Sequence, residues 1–313
     1  MRAWLLDAID GPSSLRLADI GEPRPGEGEA IVNLKVVGLN HLDVWVTHGL
    51  PAPPSFPHIL GADGAGIVGE VGAGVTEWVR GDEVIINPSI SCGDCGPCRR
   101  GDSVFCRSFT ILGERLPGTM VERIAVPARN LLRKPETIDW PVAGTCGLAT
   151  GTAYRMLSRA RLTAGDTVLV VGVGGGVSSA ATLLAIAQGA NVYVTSRSPE
   201  KIAWAVEHGA KGGFDSAGKF AQELRMAHGM GANVVVENVG QATWDQSLRS
   251  LEPGGRMVLC GATAGNRVEL ALPVLWFKQF ELIGSTMSNP HEFAQALAMV
   301  ADGSVPIPID RIF

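Results

Sequence analysis

The sequence predicts an α/β protein, a doubly wound parallel sheet joined to a second, mostly β domain. Three observations predict it. Residues 166–201 read as strand, glycine turn, helix and strand, and such crossovers build parallel sheets. Residues 1–138 are short apolar stretches punctuated by Pro and Gly, as in a small barrel or sandwich. At 313 residues the chain is long enough for two domains, each with its own core.

The βαβ unit comes first because the rest of the chain is organised around it. Val168, Leu169, Val170 and Val171 form an apolar run too short for a helix, the pattern of a strand covered on both faces. Gly172, Gly174, Gly175 and Gly176 follow, interrupted only by Val173. Residues 178–188 are rich in Ala and Leu and stop at Gly189, which reads as a helix with a glycine end. Residues 191–195 are the next strand. Residues 167–190 carry no charge, but four glycines near one end would break a membrane-spanning helix. In this setting the turn lets the backbone approach a pyrophosphate, and the helix N-terminus aims N–H groups at it. The spacing fits Gly172, Gly175 and Ser178 as Gly-x-x-Gly-x-x-small, whereas Gly-x-Gly-x-x-Gly would end on Val177. Gly172, Gly175, Gly176 and Val177 are the candidate pyrophosphate contacts.

The end of the second strand selects the dinucleotide. NAD binders usually hold the ribose 2′-OH there with an acid, roughly 20 residues past the turn. Here the place holds Thr195, Ser196, Arg197 and Ser198, with Lys201 beyond and no acid before Glu200. Arg197 can fork onto a 2′-phosphate, assisted by Ser196 and Lys201, so the expected cofactor is NADP(H). The alternative is a solvated basic turn.

The alternation continues with helices at 202–208, 219–228 and 244–251 and strands at 232–237, 256–260 and 282–286. The strand at 256 is expected to follow a turn at Pro253, Gly254 and Gly255. Ligands of open α/β sheets lie beyond the carboxyl ends of the strands, which makes Gly240, Gly261 and Ser285 further cofactor candidates. Expected boundaries are 1–138 for the β domain, 139–274 for the dinucleotide domain and 275–313 for a return to the first, with a helix at 291–301. In the β domain, residues 30–36 have apolar even positions and partly polar odd ones, a half-buried strand.

Composition narrows the class. A net charge of −5 gives no footprint for nucleic acid or an anionic membrane. The N-terminus reaches Asp7 too soon for a signal peptide. Six cysteines with four clustered do not make a secreted disulfide framework, so a cytoplasmic protein is expected. The cluster is Cys92-x-x-Cys95-x-x-Cys98-x7-Cys106, within a lobe at 88–108. Four thiolates at this spacing can surround one tetrahedral ion, for which zinc is the best fit. A ferredoxin-type run has a different last spacing, and two disulfides are disfavoured in a reducing cytosol. With all four positions taken by cysteine the site is closed and structural. Cys146 and Cys260 are isolated and expected to be buried.

One further pattern is Ala65-Gly66-x-Val68-x-x-Val71-Gly72-x-Gly74-Val75, followed by Gly81-Asp82-x-Val84. Together with the cysteine lobe and the βαβ unit after it, this resembles the medium-chain dehydrogenase/reductase superfamily, which includes zinc alcohol dehydrogenases and quinone oxidoreductases. The resemblance covers nearly the whole chain. It implies a GroES-like catalytic domain, a Rossmann domain, a cleft between them, and a homodimer or a tetramer of dimers. It also implies places for a catalytic metal, which fall at Asn40, at Ala62 in Gly61-Ala62-Asp63, and near Leu148. None of these can replace the expected ligand. His41, His58 and Asp63 are near enough in sequence to rebuild a site, or else are hydrogen-bonded structural groups. Asn40 with Asp43 resembles the zinc-free quinone oxidoreductase branch. Family members normally continue past the equivalent of Phe313 with a helix and a closing strand.

The expected function is therefore an NADP(H)-dependent reductase of a small-molecule quinone, enone or simple carbonyl. Without a Lewis acid the developing oxyanion needs hydrogen-bond donors, and Asn40, His41 and Thr152 are the candidate catalytic residues. Two alternatives are a zinc alcohol dehydrogenase with an altered site and a dinucleotide-binding redox sensor or structural protein without turnover. Residues 270–280, with Trp276 and Phe277, offer an apolar segment for self-association at a sheet edge.

Overall fold

A computed structural model describes residues 1–313, which fold as two units. One comprises Met1–Gly151, Ser288–Asp302 and Ile307–Phe313; the other comprises Thr152–Met287 and Gly303–Pro306.

The first unit is mostly β, as its punctuated apolar runs require. Its strands are β1 (Arg2–Leu6), β2 (Leu15–Asp19), β3 (Glu29–Gly38), β4 (His58–Ile59), β5 (Asp63–Val71), β6 (Glu83–Ile86), β7 (Ser89–Ile90), β8 (Thr110–Ile111), β9 (Arg123–Pro127) and β10 (Leu131–Arg133). Its helices are α1 (His41–Thr47), α2 (Gly96–Arg99), α3 (Trp140–Ala143) and the start of α4 (Leu148–Arg159). The main sheet is antiparallel in the order β10-β6-β5-β3-β9, and a smaller one has the order β2-β1-β4. Val32, Val68, Val84, Ile86 and Val126 pack together as the core, closed by Trp78. The expected half-buried alternation of β3 does not hold at its start, where Ala30, Ile31 and Val32 are all buried. β3 lies between β5 and β9 and its start is covered on both faces; its own extra residue against β5 comes later, at Lys35.

The second unit is the parallel sheet. Its strands are β11 (Thr167–Val170), β12 (Asn191–Ser196), β13 (Gly212–Asp215), β14 (Ala232–Glu237), β15 (Leu251–Leu259) and β16 (Glu281–Gly284). The helices are α5 (Gly176–Ala187), α6 (Pro199–Glu207), α7 (Phe220–His228), α8 (Trp244–Ser250) and α9 (Leu272–Lys278). α10 (Pro290–Ala301) belongs to the first unit. The order β13-β12-β11-β14-β15-β16 is the doubly wound Rossmann arrangement, with every pair parallel. β11 is buried at all four positions because both faces are covered.

Three details differ from the sequence expectation. The chain leaves the parallel sheet after Met287 rather than at 275, because β16 pairs with β15 as the sixth strand. Residues 139–151 belong to the first unit, so the crossing comes within α4. The Pro253–Gly255 turn is absorbed into β15, whose pairing with β14 is irregular between Ala232 and Val234. α10 is stopped at its N-terminus by an Asn289–Glu292 capping box with Pro290 in the first turn.

Candidate active site

In the second unit the glycine turn sits at the carboxyl end of β11, leading into the N-terminus of α5. Gly172 and Gly174 have φ of 77° and 103°, a region that side chains rarely adopt. A Cβ on Gly174 would lie 2.2 Å from the Lys201 Cδ, so the Lys201 stem runs across the turn. The Gly172 N–H donates to Thr195 Oγ1 at 3.1 Å and the Val173 N–H to the Thr195 carbonyl at 2.8 Å, tying the turn to β12. Ser178 is fully buried, and its hydroxyl donates to the Val171 carbonyl at 3.2 Å. A small side chain is what that helix–strand contact requires. Gly174, Gly175 and Gly176 are exposed, Val177 is half-buried, and the first N–H groups of a helix have no intrahelical partner.

The Ser196–Ser198 turn caps α6. The Ser198 hydroxyl oxygen accepts from the Lys201 N–H, and its hydroxyl donates to Glu200 at 2.5 Å. Arg197 is exposed and Ser196 is buried. Gly240 is buried, and a Cβ there would meet the Gly265 carbonyl at 2.2 Å, so it serves packing of the 261–265 loop. Gly261 and Ser285 follow the carboxyl ends of β15 and β16. The Ser285 hydroxyl is buried without a hydrogen-bond partner.

In the first unit, a buried carboxylate organises the region around Asn40. Asp63 opens β5 and is 1% exposed. One oxygen accepts the Asn40 side-chain N–H at 2.9 Å and the other accepts the Leu148 backbone N–H at 2.6 Å. Its backbone carbonyl accepts the Thr119 hydroxyl at 2.8 Å. A Cβ on Gly147 would lie 2.3 Å from Asp63 Oδ1, so only glycine leaves room for the carboxylate. Asp43 braces the other side, accepting from the Asn40 N–H at 2.7 Å and the Gly61 N–H at 3.0 Å. Burial pushes the Asp63 carboxyl up to about 7, opposed by the Asn40 and Leu148 hydrogen bonds. Burial likewise raises Asp43 to about 6 and Cys146 to about 12.

The three candidate catalytic residues have different surroundings. Asn40 is half-buried and held by Asp63 and Asp43. His41 is exposed and edge-on to Trp45, with ring centroids 4.9 Å apart. Thr152 lies in the second unit and is buried, its hydroxyl aimed at Met287 Sδ at 3.8 Å, a weak acceptor. His58 is spent on the Gly113 carbonyl at 3.2 Å, so His41, His58 and Asp63 form no convergent donor set. The sequence marked Asp63 as a possible ligand or a hydrogen-bonded structural group, and its bonds to Asn40 and Leu148 are those of the second. Its role as the hub appears once Leu148, 85 residues away, is brought against it.

The four thiols of the lobe do converge. Sγ of Cys92, Cys95, Cys98 and Cys106 all lie within 4.8 Å of one another, and no cysteine is in a disulfide. A tetrahedral ion with metal–sulfur bonds of about 2.3 Å spaces its ligands about 3.8 Å apart. The Cys95 N–H donates to Cys92 Sγ and the Ser108 N–H to Cys106 Sγ, at 3.4 and 3.3 Å. The Cys92 and Ser108 N–H groups help lower the Cys106 thiol to about 7, toward the thiolate that a metal needs. The donor set fits a closed, four-coordinate metal site.

Residues 26–136 match the alcohol dehydrogenase GroES-like domain, and residues 176–302 match the zinc-binding dehydrogenase family. The chain belongs to the medium-chain dehydrogenase/reductase superfamily. A solved NAD-dependent alcohol dehydrogenase is 37% identical with a TM-score of 0.94, covering 97% of this chain and 90% of that one. The acryloyl-coenzyme A reductase of Metallosphaera sedula is 32% identical over 92% of this chain and 85% of its own. A crotonyl-CoA carboxylase/reductase solved with NADP is 25% identical with a TM-score of 0.91, covering 97% of this chain and 86% of that one. No helix is long and apolar enough to cross a membrane.

The raised Asp63 has a consequence for stability. Its folded value of about 7 lies above the ordinary carboxylate range, so the folded state binds a proton that the unfolded state has released. The stability it contributes is present in acid and is lost as pH rises toward 7. Asp43 acts with the same sign, and His58, lowered by burial, with the opposite one. Asp63→Asn removes only the first contribution. The melting temperature of Asp63→Asn relative to wild type is expected to rise between about pH 4 and 7. A difference that stays constant across that range would show that Asp63 does not titrate there.

Proposed function

We propose that the protein is an NADP(H)-dependent reductase of a carbonyl-conjugated double bond, an enone or an α,β-unsaturated thioester, working without a catalytic metal. The observation that carries this reading is the Asn40–Asp63 pair. By the family resemblance, the places of a catalytic metal would fall at Asn40, at Ala62 and near Leu148, none of which is a ligand that could replace the expected one. Here Asn40 and Leu148 instead donate hydrogen bonds to Asp63. The acryloyl- and crotonyl-coenzyme A reductases among the relatives support a conjugated thioester as the substrate class.

When bound, NADPH supplies a hydride to the β-carbon of the substrate. Such a transfer would put negative charge on the carbonyl oxygen, with solvent the source of the proton at the α-carbon. Asn40 stabilises that oxygen with its second amide N–H, the first being held by Asp63. The glycine turn and the α5 N-terminus would hold the pyrophosphate, with the Lys201 stem across the turn.

Relatives include enzymes described with NAD and with NADP, so family alone does not select the cofactor. The support for NADPH is Arg197, exposed beyond β12, while Glu200 is occupied by the Ser198 hydroxyl. A charge-assisted contact to the 2′-phosphate is worth roughly 1.5–3 kcal/mol, or about tenfold to a hundredfold in affinity. Arg197→Ala is expected to remove most of the preference for NADPH while leaving NADH binding nearly unchanged, read from paired titrations alongside turnover of an enone panel. Equal binding of both cofactors by the wild type would reject the assignment.

The four cysteines are proposed to hold one structural zinc. Losing one ligand opens the shell and weakens folding coupled to metal binding. Cys98→Ala is expected to lower heat stability and soluble yield more than turnover per folded molecule. A variant of unchanged stability and abolished turnover would contradict the structural role.

A homodimer is proposed on the surface of the second unit. β16 is an edge strand, and α9 beside it leaves Trp276 and Phe277 58% and 79% exposed. Uncovered, such an edge is an aggregation hazard. Sedimentation at micromolar concentration is expected to show a dimer or a tetramer, and Trp276→Glu to shift it toward monomer. A wild-type monomer would remove this proposal.

A further inference from the structure

Asn40 is a half-buried donor whose direction depends on a group behind it. Its side-chain amide is fixed by one carboxylate oxygen of Asp63 at 2.9 Å, and the other oxygen of that carboxylate is taken by Leu148 at 2.6 Å. Both oxygens therefore accept, the arrangement of an ionised carboxylate. Asp63 is 1% exposed, so it does not itself reach a substrate. We propose that Asp63 is a positioning residue that aims the Asn40 amide at the substrate oxygen, and that its protonation releases that amide. This rests on the reading of Asn40 as the oxyanion donor.

The physical reason is the asymmetry of a carboxylate and a carboxylic acid. The ionised group accepts from both Leu148 and Asn40 and holds each strongly. A proton on the oxygen facing Asn40 turns an acceptor into a donor, so the amide N–H loses its partner and the side chain must reorient. The titratable groups that act on Asp63 are Asp43, whose charge raises it, and Cys146, held as a neutral thiol by burial and by Asp63 itself. Asp43 fixes the Asn40 backbone and takes its own proton only lower, at about 6, so near pH 7 the main chain stays in place while the side chain is freed. The active form is the ionised one, and turnover should fall in acid as the carboxyl takes its proton near pH 7.

The test is a double-mutant cycle of Asn40→Ala and Asp63→Asn, with kcat and KM measured against pH, together with NMR of isotope-labelled asparagine side chains in the substrate-free protein. In Asp63→Asn the new amide places an N–H₂ group where the carboxylate had its second accepting oxygen, so it cannot satisfy both donors. Each single variant is expected to lower kcat by roughly tenfold to a hundredfold, the worth of one charge-assisted hydrogen bond. The double variant should be no slower than the slower single one, and all three should lack the acid limb of the wild type while binding NADPH unchanged. The Asn40 side-chain resonances should shift with pH in the wild type and stay fixed in Asp63→Asn. Multiplicative losses, or an acid limb retained in Asp63→Asn, would overturn the positioning role. An Asn40 amide that titrates in a protein that reduces no conjugated substrate would leave the coupling intact and reject the proposed function instead. Resonances that ignore pH would reject the coupling whatever the substrate.

Discussion

The first unit depends on keeping one carboxylate out of water. A buried charge is expensive unless its lone pairs are met, and Asp63 is met from two directions. The donors come from parts of the chain far apart in sequence: Asn40 at the start of α1 and Leu148 at the start of α4. Thr119 adds a bond to the Asp63 backbone. The requirement to satisfy Asp63 therefore fixes where two helices begin. It also explains Gly147, whose missing side chain is the space the carboxylate occupies.

The second unit uses the same device at the other end of a strand. Glu237, fully buried at the end of β14, accepts the N–H groups of Val239 and Gly240 at 2.6 and 3.0 Å. It also accepts the hydroxyls of Thr243 and Ser247. This ties down the loop between β14 and α8, beside the glycine turn, where Asn238 donates to Ser178 at 2.9 Å. Both units thus bury a carboxyl group beneath a loop and let backbone N–H groups hold it. Rigid loops of this kind keep donors aimed without reorganisation when charge develops, which is the condition for electrostatic catalysis.

What could be read from the sequence was what is local. The glycine turn, the strand β12 and the four cysteines are each read from a few neighbouring residues, and the turn, the strand and the thiol cluster formed where those patterns put them. The parallel order of the sheet followed from the alternation of runs. The unit boundaries differ from those expected because the chain crosses within α4 and because β16, beyond residue 275, is the sixth strand of the parallel sheet. The alternation of β3 failed at its start because both faces are covered there, which its mixed pattern does not announce. The hub at Asp63 was not legible, since its partners are 23 and 85 residues away and nothing in Gly61-Ala62-Asp63 names them. The burial that raises its proton affinity is a property of the assembled unit alone.

Two regions of the first unit carry different chemistry. The lobe brings four cysteine thiols together, while the region around Asn40 is a hydrogen-bond network built on Asp63. The most direct measurement is metal content set against turnover, using NADPH with an enone, an α,β-unsaturated thioester and an aldehyde. The account predicts one zinc per chain, reduction of the conjugated substrates, and no further gain in rate when zinc is added. A second equivalent whose removal abolishes turnover while the fold persists would contradict it.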